Sequence, residues 1–140
     1  MSVQRCPASS VQAAVYVRIL ADNPTYTVLR YDPASNPGYP RTIFGRISGM
    51  LDDTKTSRGS QVTIPLGVCS QSPGLTELVG IMDGILASLT NDIYPLEVDD
   101  DWDVVRVEAP WTVDTLAGDQ KGVIQRGEII LTVWVEDVKT

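Results

Sequence analysis

Hydrophobic residues near the start of the chain recur at helical spacing. Ser9 and Gln12 have the spacing of a capping box, and the run Val11–Leu20 that follows has almost no helix breaker before Asn23-Pro24. The sequence therefore predicts a first helix over this run. Its apolar residues fall on two faces, Val11, Val15 and Ile19 on one and Ala13, Tyr16, Val17 and Leu20 on the other. Two apolar faces indicate contact with more than one surface, one of which is a candidate contact with another subunit.

The next part of the chain alternates between a loop and strand patterns. Residues 22–40 are rich in Pro, Asn, Gly and Tyr, which predicts a long loop. Alternation from Ile43 to Leu51 and again from Val62 to Val68 predicts two strands that form a hairpin with an extended polar tip at 52–60. Pro65 cannot donate to a ladder, so its amide position should face an open edge or a bulge, and we predict that the second strand is an edge strand.

The second half of the sequence predicts one more helix and two more strands. Ser72-Pro73 supplies an N-cap and a first-turn proline, and apolar residues then recur at helical spacing from Leu75 to Leu89. The residues on the opposite side of this helix are small or polar, so this side should be exposed to solvent or in close contact with another element. It comprises Glu77, Gly80, Asp83, Gly84 and Ser88. Alternation over Val105–Val113 and Ile129–Val135 predicts the third and fourth strands.

The predicted elements come in the order helix, strand, strand, helix, strand, strand. This order favours an α+β fold, in which one sheet of about four mainly antiparallel strands has the two helices packed against it. With 140 residues, the chain is expected to form a single domain over 1–140, including the Pro-rich loop near 22–40.

Composition narrows the choice of function. The net charge is -7 and there is no histidine, which argues against direct binding of duplex DNA through phosphate neutralisation. The stretch Met1–Cys6 has no apolar core long enough for a signal peptide, and no segment is long and apolar enough to span a membrane. We therefore expect a protein made and kept in the cytoplasm, with no membrane partner. Cys6 and Cys69 fit no paired metal-ligand spacing, and we expect them to be reduced packing residues.

No catalytic, cofactor-binding or metal-binding residue is predicted. Without histidine a Ser-His or Cys-His pair cannot form, and residues 118–122 lack the strand, spacing and hydroxyl of a phosphate-binding loop. The acidic run Asp99–Asp103 lacks the oxygen spacing and bidentate glutamate of a calcium loop, so a solvated turn is the favoured interpretation, and an electronegative rim at a pore is another. Trp134 has the opposite parity to Val133 and Val135, which favours exposure to a partner.

Several segments together resemble a known family of viral proteins. They are residues 53–59 (Asp-Thr-Lys-Thr-Ser-Arg-Gly), the alternating strand after them, the Ser-Pro-Gly helix start at 72–74, and the last strand at 127–136. Over roughly 11–138, in element order, the chain is similar to the tail-completion, or tail-terminator, family of long-tailed, siphovirus-like bacteriophages and related gene transfer agents. The hairpin tip and the strand that follows it are the specific part of the likeness.

The resemblance implies a structural virion protein that is not an enzyme. Such a subunit forms a ring, a hexamer, on the head-proximal end of the tail tube, stops tube growth and presents a surface to the head-tail connector, or stopper, protein. Its partners would be copies of itself, the tail-tube protein and the connector, and DNA would only pass through the lumen. Assembly would take place in the host cytoplasm. The expected assembly interface comprises Asp53, Lys55, Arg58, Tyr16 and Trp134.

Other functions are compatible with the same sequence. A neck or head-to-tail connector protein, or a tail-tube subunit, would also be small and ring-forming, and a tube subunit would grow into filaments. A metal-dependent enzyme that uses the Asp99–Asp103 carboxylates is the most distant alternative.

Overall fold

The computed structural model describes residues 5–30, 38–51, 58–119 and 122–138. Two helices and seven strands lie in these ranges: α1 (Ala8–Asp22), β1 (Val28–Leu29), β2 (Arg41–Phe44), β3 (Ser48–Leu51), β4 (Arg58–Ser70), α2 (Thr76–Leu89), β5 (Trp102–Glu108), β6 (Trp111–Asp119) and β7 (Gly122–Asp137). The predicted α+β class is therefore confirmed. The predicted Pro-rich loop contains β1, and its residues 31–37 lie outside the described ranges.

Two long central strands organise the sheet. β4 and β7 are antiparallel and pair without interruption from Arg58 opposite Asp137 to Ser70 opposite Gln125. β2 and β3 pair with the outer side of β4, and β5 and β6 pair with the outer side of β7. β1 adds a short parallel pairing to β2. All of these pairings except the last are antiparallel, as the sequence predicted.

The prediction of about four strands is wrong because two of the predicted strands are each split. The first is interrupted at 45–47, where the Gly45 N–H donates to the carbonyl of Pro65 over 2.6 Å. The third is interrupted at Ala109-Pro110, where Pro110 cannot donate and its carbonyl accepts from Ile130 N over 2.9 Å. The two breaks, together with β1, raise the count from four to seven.

Pro65 lies in a central strand, so the prediction of an edge strand is wrong. Ile130, its register partner on β7, donates its N–H away from β4, to Pro110. Antiparallel ladders alternate hydrogen-bonded and non-hydrogen-bonded pairs, so the backbone groups of Pro65 point away from β7 and into the break between β2 and β3. The absent N–H of Pro65 therefore faces a local break in the sheet, which corresponds to a bulge rather than to an open edge.

Both predicted helix caps differ from the structure. No side-chain cap hydrogen bond forms at the start of α1, which follows Pro7, so the Ser9–Gln12 capping box is wrong. α2 begins at Thr76, later than Ser72-Pro73 predicts, because Gly74 turns the chain with a positive φ of 77°. Ser70 closes this turn instead: its hydroxyl accepts the Ser72 N–H and donates to Glu77 over 2.6 Å.

The core lies between the two helices and one face of the sheet. Paired residues of β4 and β7 form its floor, with Ile64 opposite Leu131 and Leu66 opposite Ile129, all fully buried. The helices supply the other side with Val11, Val15, Ile19, Leu78, Met82, Ile85 and Leu89. The opposite face of the sheet carries the residues of alternate parity and is not covered by either helix.

Candidate assembly surfaces

The uncovered face of the sheet carries Trp134 near one end of β7. Trp134 is half-buried while Val133 and Val135 are buried, so the predicted parity is confirmed. The guanidinium of Arg106 on the neighbouring β5 stacks on its ring, 4.9 Å from the centroid. Such a cation-π contact stabilises an aromatic ring at the surface.

Tyr16 lies where α1 meets the edge of the sheet. Its ring packs edge-on against Phe44 of β2 with centroids 6.4 Å apart, and Arg30 stacks on it at 5.5 Å. Tyr16 is half-buried, and the next residue, Val17, is exposed. The second apolar face of the first predicted helix is therefore only partly covered within this chain.

The hairpin tip largely falls outside the described residues. Asp53 and Lys55 lie in the undescribed range 52–57. Arg58 is the first residue of β4 and is in register with Asp137 of β7. The described chain thus resumes after the tip at the end of the two central strands, and the role of the tip in assembly stays a prediction.

A groove runs between the start of α1 and the edge strand β3. It has a volume of about 380 Å³ and is lined by Arg5–Ala8, Ile47–Leu51 and Ser60–Val62. Met50 and Leu51 are both exposed, although they belong to a strand. β3 pairs only with β4 among the described residues, so its outer edge is available for another strand.

The opposite side of the sheet ends in β5 and β6. A bulge between Val104 and Arg106 interrupts the β5 ladder, a feature that discourages further pairing at an edge. β6 is regular from Trp111 to Leu116, and its outer side pairs with no other described strand. Trp111 is 58% exposed, a high value for so large an apolar side chain.

The two sides of the sheet carry opposite charge. Residues 38–51, which contain β2 and β3, have Arg41 and Arg46 and no acidic residue. Residues 97–114, which lead into and include β5 and the start of β6, have seven acidic residues and a single basic one, Arg106. Because β4 and β7 separate these two segments, the described parts of the two lateral sides of the sheet carry opposite net charge.

The acidic run is partly organised by internal contacts. Asp99 accepts the backbone N–H of Asp101 over 2.9 Å, and the Asp101 carboxylate lies 3.4 Å from Arg5. Arg5 also binds Asp137, and this hydrogen bond is the largest cause that raises the pKa of the Arg5 guanidinium above its ordinary value; Asp101 adds to it. Among the described residues there is no group of three or more side chains placed to hold a metal ion.

The two cysteines and the two helices of the described ranges bear on two further sequence-based expectations. Cys6 is exposed beside the groove and Cys69 is half-buried on β4, and neither forms a disulfide. Neither described helix has the length and apolar character needed to cross a membrane.

Sequence reasoning missed three residues that the structure brings to the surface. Met50 and Leu51 fit a strand pattern, and Trp111 fits a core position of the third predicted strand, yet all three are exposed. The available signal was the sequence beside them: β3 follows a break that begins at Gly45, and β6 begins directly after Pro110.

Comparisons with known proteins give a structural likeness only. No family model matches the sequence, and no curated protein matches it. The fold is similar to that of a chain from the virion of a native gene transfer agent particle, with a TM-score of 0.71 and 16% identity over 95% of this chain and 99% of the other. The bacteriophage SPP1 gp17 protein aligns with a TM-score of 0.48 and 16% identity, over 88% of this chain and 89% of that one.

Proposed function

We propose that this protein is a structural virion subunit that forms a ring at the head-proximal end of a phage-like tail tube. The ring would end tube polymerisation and offer the surface to which the head is joined. The observation that carries the proposal is the fold shared with a gene transfer agent virion chain over nearly the full length of both chains. A likeness that leaves almost no residue of either chain unmatched favours the same kind of building block over a shared local motif.

The surfaces of the molecule suit assembly. Exposed Trp111, exposed Met50 and Leu51, and half-buried Trp134 are spread over different sides of one small domain. Aromatic and large aliphatic residues of this kind are the usual anchors of protein interfaces. A ring subunit needs at least two separate contacts with its neighbours and further contacts above and below, so dispersed anchors are expected.

The charge of the chain supports contact with protein rather than with nucleic acid. At a net charge of -7, the subunit would repel the DNA backbone. A ring through which DNA passes functions better when its wall does not bind the duplex. We therefore propose copies of this chain, the tail-tube protein and the head-tail connector as partners, with DNA only in the lumen and the virion tail as the location.

The predicted interface residues fit this proposal at three places. The hairpin tip with Asp53, Lys55 and Arg58 would project from the end of β4 toward the tube or a neighbouring subunit. Trp134 on the open sheet face and Tyr16 on α1 would contact other subunits. No residue in this assignment carries out a chemical reaction.

The proposal is tested by mixing the purified protein with tail tubes assembled from the tail-tube protein of the same particle. We expect negative-stain images to show extra density on one end only of each tube, and tubes pre-incubated with the protein to stop elongating when more tube protein is added. Bovine serum albumin at the same concentration serves as the control. Filaments of this protein alone would instead indicate a tube subunit, and tubes that elongate normally with bare ends would refute the proposal.

A further inference from the structure

The sheet contains a continuous antiparallel path from one free edge to the other. It runs from β3 through β4 and β7 to β6, and each step is antiparallel. With four strands in the path, the first and the last run in opposite directions. At the level of β3 the opposite edge of the sheet is β5, and β6 lies toward the other end. A second copy in the same orientation, placed beside the first and displaced along the strands until its β6 is level with β3, would therefore present β6 antiparallel to β3, and the alternation would continue across the contact.

The hydrogen-bond pattern within the sheet determines which backbone groups of β3 and β6 point outward. Gly45 N–H bonds to Pro65, so the backbone groups of alternate β4 residues, 61 and 63, face β3. Their partners Met50 and Ser48 point inward, which leaves Gly49 and Leu51 pointing outward. On the other side, Ile130 N–H bonds to Pro110, so the groups of residues 111 and 113 point outward from β6.

These positions share one face of the sheet. Leu51 is in register with Ser60, and Trp111 with Ile129, and both partners lie on the face that the helices cover. In a register with Leu51 opposite Trp111 and Gly49 opposite Val113, the backbone N–H and C=O groups that point outward from β3 therefore meet those that point outward from β6. It also places two exposed apolar side chains, each 58% exposed in the single chain, against one another.

The groove beside β3 provides a place for the incoming indole. It lies on the same face as Leu51, its floor and walls include Ile47, Val62 and Pro7, and its volume of about 380 Å³ is large enough for one aromatic side chain. Trp is the residue most often found as an interface anchor, because it buries a large apolar area with few rotatable bonds. No other described part of its own chain covers Trp111 comparably, since its side chain is 58% exposed.

The charges favour a contact between β3 and β6 over a contact between two copies of the β6 edge. In the same register Ser48 lies opposite Asp114, and Arg46 precedes Ser48 by two residues on the basic side of the sheet. Both Arg46 and Asp114 are exposed. Contact between two β6 edges would bring two acidic segments together, whereas the β3 to β6 contact joins the basic side of one copy to the acidic side of the next.

We propose that the outer edge of β6 of one copy pairs antiparallel with the outer edge of β3 of the next, with Trp111 seated in the groove between β3 and the start of α1. The occupant of this groove is thus a second copy of the same chain. The contact joins two different surfaces, so repetition generates a ring when the rotation per subunit closes. This inference rests on the proposed ring-forming function and specifies the lateral contact within it.

Disulfide trapping tests the register. In a background with Cys6→Ser and Cys69→Ala, one protein carries Leu51→Cys and another carries Trp111→Cys. Hydrogen-bonded antiparallel partners have Cα atoms about 5.5 Å apart, within the disulfide range. We expect mild oxidation of the mixture to give a covalent dimer and each protein alone to give almost none. A Met50→Cys protein mixed with the Trp111→Cys protein is the matched control, because its side chain lies on the other face.

The outcomes separate this contact from the function. A dimer from the Leu51→Cys protein alone would indicate symmetric pairing of two β3 edges and overturn the proposal, as would equal trapping in the Met50→Cys control. Rings or tube caps formed by the cysteine-free parent, with no trapping in the mixture, would overturn the edge contact and leave the function standing. No trapping at the highest soluble concentration, from a parent that never caps tubes, would overturn both.

Charge reversal gives an independent measurement. Arg46→Glu and Asp114→Arg should each weaken lateral association of the protein at least several-fold in sedimentation equilibrium at low salt, and the double variant should recover most of it. Folding of each variant is checked by circular dichroism and its melting temperature. If the double variant associates no better than the single variants, the two residues do not face one another and the register is wrong.

Discussion

Arg5 joins the beginning of the described chain to its end through Asp137. Its Nε donates to Oδ2 of Asp137 over 2.8 Å, and its second terminal nitrogen binds the other carboxylate oxygen. The guanidinium also lies 4.8 Å over the ring of Trp102. Asp137 is buried at the end of β7, so this bidentate pair fixes the segment that forms one wall of the groove beside β3.

Arg5→Ala should lower stability clearly. The change removes a bidentate partner from a buried carboxylate and the cation that stacks on Trp102. We expect a lower midpoint in urea and a melting temperature several degrees below that of the parent. Arg126→Ala is the control, because both partners of the 3.6 Å ion pair between Arg126 and Glu128 are exposed. Loss of this pair should change the free energy of unfolding by no more than about 0.5 kcal/mol. Equal midpoints for the two variants would contradict the role of Arg5.

Gly127 of β7 gives room to Met82 of α2. A Cβ built on Gly127 would lie 3.0 Å from Met82 Cε and closer still to its sulfur, so even a methyl group needs the helix or the side chain to move. We expect Gly127→Ala to destabilise the fold by about 1–2 kcal/mol. Met82→Ala should cost about 2–4 kcal/mol alone, but Gly127→Ala should cost far less in its presence. Additive costs in urea denaturation would show that the two residues do not compete for space.

Asn23 fastens the end of α1 to α2. Its amide nitrogen lies within hydrogen-bond distance of Ile19 O at 3.1 Å, Ser88 Oγ at 3.1 Å and Gly84 O at 3.4 Å. Asn23→Ala leaves acceptors on buried Ile19 and Ser88 and on half-buried Gly84 without this donor, and should lower the free energy of unfolding by about 1–2 kcal/mol. Thr25→Ala, at an exposed position of the following turn, should change the unfolding free energy by less than about 0.5 kcal/mol. Similar effects of the two changes would refute the link.

Tyr26 should make the fold sensitive to alkali. Burial raises the pKa of its hydroxyl above the ordinary value, and the nearby Asp83 raises it further. A raised pKa means that the folded state holds the proton more tightly, so this contribution to stability is present below about pH 10 and is lost as the pH rises through the folded pKa. We expect the melting temperature to fall above about pH 10 and to fall less steeply in Tyr26→Phe. Parallel pH profiles would contradict this assignment.

The elements that the sequence predicts well are those in which the periodicity itself reports burial. The alternations around Ile64 and Leu131 are recovered, because strand residues that face the helices are buried. The helical stripe of α2 is recovered at Leu78, Met82 and Leu89, whereas Leu75 and Val79 are exposed. The small side of α2 was expected to be exposed to solvent or in close contact with another element. Gly84 lies against Asn23 and Tyr26, and Ser88 accepts a hydrogen bond from Asn23, just beyond the end of α1.

The predictions that are wrong concern positions where a single backbone group determines the local structure. Local spacing cannot tell that Gly74 turns the chain before α2, nor that the break at 45–47 meets Pro65 inside the sheet rather than at its edge. Whether Trp111 is core or surface depends on which strand covers it, a long-range fact that alternation does not contain. For the same reason the sequence suggested interface residues but not the two sheet edges that could join copies.

The hairpin tip is expected to act in assembly and not in folding. Lys55→Glu with Arg58→Glu reverses the positive charges of the first residue of β4 and of a residue three positions before it. We expect both to pair with acidic groups of the tail tube or of a neighbouring subunit. We expect an unchanged circular dichroism spectrum and melting temperature, but weaker capping of tail tubes and longer tails in a complementation assay. Because exposed ion pairs are screened by salt, capping by the parent should weaken with added salt, while residual capping by the variant should vary less. Arg126→Glu, a charge reversal on the open sheet face away from the tip, is the control. Normal tails from the Lys55 and Arg58 variant would leave the tip an ordinary exposed turn.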